Sequence, residues 1–255
     1  MIVKVRMIGM MRLMRSSRPR PGARVFRPGS AGAVTAVLAI TLAGLAAGCG
    51  GGGAGTTQPP PVDPIVAGWT AFESGDFAGA RGHFAEAVAA DPTSADAKDG
   101  LGWSLLFIAP GATGADDSLL AAVSDFDGAI SLAPSSPDAY AGRAAAERGL
   151  AAVASSHDSL AIVSADAALG LSPAFQFAHR TSIDWKDLRL IIADAAFARG
   201  DYTRTNTEVV NLGGTAIDPG APNFADDMLA QLETLTGVID ADGMTGREAA
   251  GSPAD

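Results

Sequence analysis

The chain is poor in the residues that build chemistry. It has one cysteine, Cys49, and three widely spaced histidines, His83, His157 and His179. One thiol excludes an intramolecular disulfide and a cysteine metal site, and no His-x3-His pair offers a zinc ligand set. No metal and no cofactor is therefore expected. There is no Gly-x-Ser-x-Gly. The glycine run at 50–53 is not followed by Lys-Ser or Lys-Thr, and the acidic stretch from Asp240 to Gly243 lacks the later ligands of a calcium loop. These absences leave an enzyme without a site. Only 6% of the residues are aromatic, and no β-rich run of consequence occurs, so the folded part is expected to be helical and packed largely with small side chains.

Basic residues are scarce beyond the first stretch. Eight of the 18 Lys and Arg stand within the first 27 positions, where there is no acid; ten remain against all 28 Asp and Glu, a formal net charge of −18. A molecule this acidic repels phosphate, which excludes nucleic acid as a partner and argues against a peripheral basic patch on anionic lipid. Behind the basic stretch runs an uncharged apolar segment, 31–47, ending in small residues. That order is the form of a secretory signal, and 17 residues are short for a transmembrane anchor.

Ala46, Ala47, Gly48 and Cys49 together resemble the lipobox of bacterial lipoproteins. The resemblance implies cleavage before Cys49, a diacylglyceryl thioether on its sulfur and an acyl chain on the new amine, enough for firm anchoring. Gly50 after the cysteine is similar to lipoproteins released to an outer membrane. Residues 1–48 are thus expected to be a signal peptide. Residues 49–64 form a tether, flexible through the glycines and stiffened by Pro59, Pro60 and Pro61. The expected location is extracytoplasmic and lipid-anchored, on the outer membrane if the cell has one.

Residues 75–92 set the pattern for the rest. Gly75 and Asp76 make a turn, Ala80, Phe84, Ala87 and Val88 share one helical face, and Pro92 ends it. The same offsets recur as Ala122, Phe126 and Ala129 before Pro134, and as Ala161, Ala165 and Ala168 before Pro173. A helix with so narrow an apolar stripe is marginal alone and needs neighbours. The pattern resembles the tetratricopeptide repeat (TPR), a helix-turn-helix unit of about 34 residues. The resemblance covers 64–212. It implies close packing through small residues in the first helix of each pair, here Gly68, Gly102, Ala144 and Ala193. A fourth unit carries Gly200, Asp201 and Tyr202, with Thr205, Val209 and Leu212 in the later slots. The extra residues in the second and third units are assigned to 109–116 and 151–156.

The expected fold is all-α: an α-solenoid of antiparallel TPR-like helix pairs at 65–214, closed by a C-terminal capping helix within 215–239. Phe224, Met228, Leu232 and Leu235 form the apolar stripe of that cap. Residues 240–255, without aromatics or periodicity, read as a disordered tail.

In the TPR family the first helices line a concave groove that holds protein partners. By that resemblance Trp69 and Trp103 occupy the same slot in successive units, and Glu73, Asp99, Arg148, Asp187 and Asp194 fall at other groove-facing slots. Such a groove would suit a protein or peptide segment with apolar and basic anchors. Large aromatics serve equally in a core, so groove and core both remain open for the two Trp. The expected function is a lipid-anchored scaffold for protein–protein interaction, with a role in envelope assembly implied by similarity to TPR lipoproteins. The alternative is a carbohydrate- or solute-binding lipoprotein that stacks ligand on Trp69 and Trp103.

Overall fold

The computed structural model describes residues 62–111 and 114–248; the leader, Cys49 and nearly all of the tether lie outside the described residues. Nine α-helices occur among those described: α1 (Pro64–Ser74), α2 (Phe77–Ala90), α3 (Ala95–Ile108), α4 (Ala115–Leu132), α5 (Pro137–Leu150), α6 (Ser156–Leu171), α7 (Trp185–Arg199), α8 (Tyr202–Asn211) and α9 (Phe224–Glu248). A short 3-10 turn, Ala109–Gly111, follows α3.

Local sequence sets most of these boundaries. Asp63 accepts a hydrogen bond from the Ile65 amide, and Pro64 supplies a preset first turn to α1. Gly75 closes α1 at φ 86°, a left-handed conformation that disfavours a β-carbon, while the Asp76 carboxylate receives the Gly79 amide at 2.9 Å and opens α2. Gly200 and Asp201 repeat this two-residue turn between α7 and α8, with φ 79° at the glycine and the Arg204 amide on Asp201 at 3.0 Å. The outer pairs are tight because they share this turn. The α3–α4 and α5–α6 connections are longer, where the extra residues were expected.

From α1 to α8 each helix packs against the next, and α1, α3, α5 and α7 also lie side by side, each touching the next; α9 packs on α7. Each of α2, α4 and α6 touches the odd-numbered helix before it and the one after it. The lock between units is an aromatic ring between two glycines. A β-carbon at Gly68 would lie 2.7 Å from the Phe84 ring and one at Gly100 only 2.4 Å from it; Phe126 sits likewise between Gly102 and Gly142. Missing side chains on odd helices thus admit the rings of even ones. In the third unit Ala165 replaces the aromatic, and the positions corresponding to Gly102 and Gly142 hold Ala144 and Ile191. Bulk has moved from the even helix to the odd.

The last pair is covered by α9. Phe224, Met228 and Leu232 are buried with Leu190, Ala193 and Val209, and Leu235 packs partly against them. The intervening segment is pinned by Asn206, whose amide group bonds the backbone of Ile217 in both directions, and by Gln231, which does the same at Thr215. The backbone of α9 continues past Ile239 to Glu248, further than the expected cap. The chain is an α-solenoid of TPR-like helix pairs with a C-terminal capping helix.

Candidate partner-binding face

Residues 172–184 join α6 to α7 and do more than connect them. Phe177 donates its amide to the Ile183 carbonyl at 2.9 Å, Trp185 donates to the Phe175 carbonyl at 2.8 Å, and Gln176 pairs with Asp184 in an antiparallel bridge. The result is a compact hairpin. Its alternation is that of extended chain: Phe175 and Phe177 are buried while Gln176 and Ala178 are exposed.

The hairpin is seated on α1 and α3. Phe177 stacks on Trp103 with ring centroids 4.3 Å apart and meets Trp69 and Phe72 edge-on, each at 6.0 Å. His179 lies flat on the Trp69 indole at 3.7 Å, and its Nδ1 is 2.8 Å from Glu73 Oε1. The Arg180 guanidinium stands over the Phe107 ring, 4.8 Å from its centroid, within the range of a cation–π contact. A row of odd helices here holds an extended segment by aromatic stacking and cationic contacts. The segment belongs to the same chain.

This placement resolves the two tryptophans. Trp103 is 1% exposed and Trp69 7%, and both are core residues. Neither indole has a free face for stacking, because Phe177 and His179 cover them. Trp69 donates its indole N–H to Asp96 at 2.9 Å, whereas the Trp103 indole N–H has no partner among the described residues. Glu73 remains exposed at the edge of the hairpin.

Three other expected groove residues are engaged inside the fold. Arg148 is buried between α6 and α7, 3.4 Å from Asp158 and 3.3 Å from Asp194. Burial raises the pKa of Asp194 above the usual carboxylate value, and the Arg148 charge opposes that rise. The repeat resemblance put Arg148 and Asp194 at groove-facing slots, but it could not show that α6 brings Asp158 across to them. They join units rather than face a partner. Asp187 caps α7 reciprocally with Asp184, accepting the Asp184 amide at 2.8 Å, so it too serves the local fold.

Asp99 differs from these. It is 7% exposed, accepts no hydrogen bond among the described residues, and its pKa is pushed well above the usual carboxylate value by burial and then by Asp138 and Asp96. Asp138 is also raised by burial, with His179 opposing. Together these acids border a cavity between the first turns of α3 and α5 and the end of α4. Of the seven expected contact residues, the structure gathers Trp69, Glu73, Asp99 and Trp103 around the hairpin and the cavity beside it. The hairpin itself was missed, although the alternation of Phe175, Phe177 and His179 signalled extended chain.

No family model matches the chain, and a search of curated proteins returns no match. Among solved structures it is similar to a thermophilic TPR protein of Thermus thermophilus, with TM-score 0.47 and 15% identity, covering 69% of this chain and 82% of that one. It is also similar to MamA protein, with TM-score 0.46 and 14% identity, covering 75% of this chain and 96% of that one. Among the described residues no group of three His, Cys, Asp or Glu is placed to hold a metal, and no helix is long and apolar enough to cross a membrane.

Proposed function

We propose that this protein is a lipid-anchored extracytoplasmic scaffold that holds a protein partner on its row of odd helices and serves envelope assembly. The observation carrying the binding half is the seat of Phe177, His179 and Arg180 on α1 and α3. That face holds a segment offering aromatic and cationic side chains. A partner with the same chemistry would meet the face beside the hairpin or in its place. The carbohydrate alternative is less favoured, since sugar stacking needs an open indole and both candidates are covered. No reaction is assigned.

The anchoring half rests on the lipobox-like residues before Cys49. Cys49→Ala should abolish palmitate labelling and move the protein from the membrane to the soluble fraction. A variant that stays on the membrane without label defeats the lipid anchor.

Binding is tested by placing a photo-crosslinking amino acid at position 73, on the odd-helix face, or at position 163, which is exposed on α6. A protein captured from position 73 and absent from position 163 supports the proposed face. Equal capture from both positions, or none from 73, overturns it.

A further inference from the structure

The cavity beside the hairpin, open to solvent on one side, offers about 270 Å³, room for several water molecules or a short aliphatic chain. Asp96, Asp99 and Asp138 supply its charge, and Ala129, Ala133 and Ser136 supply much of the remaining wall. Asp96 is exposed and Asp138 half-buried, whereas Asp99 is the most buried of the three. Depth therefore increases toward Asp99.

The three acids are not equivalent. Asp96 accepts the Trp69 indole N–H, and Asp138 feels the charge of His179. Asp99 has no hydrogen bond or ion pair among the described residues, and its Oδ1 is sealed from solvent. A buried carboxyl group without a partner is costly whether it stays protonated or ionises, and native folds keep few of them. A cation entering the cavity would supply what Asp99 lacks. The acids do not form a metal-holding group, and the alanine walls offer apolar contact rather than ligation. That combination suits a charged head on an aliphatic stem.

We infer that this cavity binds an alkylammonium or guanidinium group, with Asp99 as its ion-pair partner, Asp96 and Asp138 flanking the charge, and Ala129 and Ala133 against the methylene stem. Two sources share this chemistry: a free aliphatic amine, or a Lys or Arg side chain of the protein partner. The second source rests on the scaffold reading above. The first does not.

The test is calorimetric titration of the full chain, purified in detergent, with 1,5-diaminopentane and separately with N-acetyl-lysine amide. N-acetyl-norleucine amide serves as the uncharged comparison. Asp99→Asn keeps the side-chain shape but cannot give up a proton to pair with an entering cation; Asp226→Asn, at an exposed acid on α9, reports general loss of negative charge. Binding of either amine, weakened about tenfold or more by Asp99→Asn and unchanged by Asp226→Asn, is expected for loss of one charge-assisted pair. The diamine binding alone identifies a free amine; lysine amide binding identifies a side chain, and both outcomes uphold the site. No binding of either probe, equal binding of the norleucine compound, or indifference to Asp99→Asn overturns it. Amine binding without a crosslinked protein would sink the scaffold but not the cavity site, and a crosslinked protein without Asp99-dependent amine binding would do the reverse.

Discussion

A methyl group added at Gly100 would lie 2.4 Å from the Phe84 ring, where carbon atoms in favourable contact keep about 3.5–4.0 Å. The ring cannot simply retreat. It is fully buried, and its other side is pressed against Gly68, where a β-carbon would lie at 2.7 Å. Gly100→Ala must therefore separate α3 from α2 or force the ring off its rotamer, at a cost near the upper end of the usual overpacking range, about 3 kcal/mol. Replacing a mid-helix glycine by alanine returns about 1 kcal/mol, leaving a net loss of about 2 kcal/mol and a fall in Tm of about 4–8 °C.

Gly82→Ala in α2 isolates the returning part, because nothing lies within 4 Å of a β-carbon there, and it should stabilise by about 1 kcal/mol. Urea denaturation followed by circular dichroism measures both. Phe84→Leu in the Gly100→Ala background should recover part of the loss, with a coupling of about 1 kcal/mol in the double-mutant cycle. If Gly100→Ala stabilises as Gly82→Ala does, the ring-between-glycines account of how units lock is refuted.

Other consequences are equally open to measurement. Arg148→Met leaves Asp158 and Asp194 buried without the guanidinium between them and should lose about 3–5 kcal/mol in urea denaturation; a loss below about 1 kcal/mol would show that the joint does not depend on that charge. Phe177→Ala should lose about 3–5 kcal/mol and shift tryptophan emission to the red as Trp103 is uncovered; unchanged emission would contradict the seating of the hairpin. Asp99, Asp125, Asp138 and Asp194 all have raised pKa values in the folded chain, with Asp125 at about 6 because burial outweighs Lys98 and Arg81. The folded state then keeps protons that the unfolded state has released, so these groups make stability fall as pH rises from the ordinary value of 3.8 through about 6. The urea midpoint should be lower at pH 7.5 than at pH 5, less so in Asp99→Asn, and a midpoint that rises over this interval would contradict that sign.

The repeat helices were legible because their signals are local. Residues 77–90 were bounded by a Gly-Asp turn and a Pro, and the structure places α2 on those residues. The small–aromatic–small offsets likewise identified Ala80, Phe84 and Ala87 as buried. Ile183 heads the apolar run that continues into α7, yet the helix starts only at Trp185, because the Ile183 carbonyl is held by Phe177 in the hairpin. Helical periodicity has no access to such a pairing. The candidate site was less legible for the same reason: Trp69 and Trp103 meet Phe177 across stretches of chain that no local pattern links, and Arg148 becomes a buried joint only when α6 supplies Asp158.

His179 reaches Glu73 across 106 positions of sequence. In a linear array each unit leans only on the next, so the ends can fray one unit at a time. Here the segment between the third and fourth units is fastened to the first, and releasing α1 means withdrawing Phe177 and His179 from their aromatic partners as well. Release of the first unit is thereby coupled to release of the hairpin that follows the third. Energetically the row behaves as a hoop, in which loosening one unit loosens those on the far side.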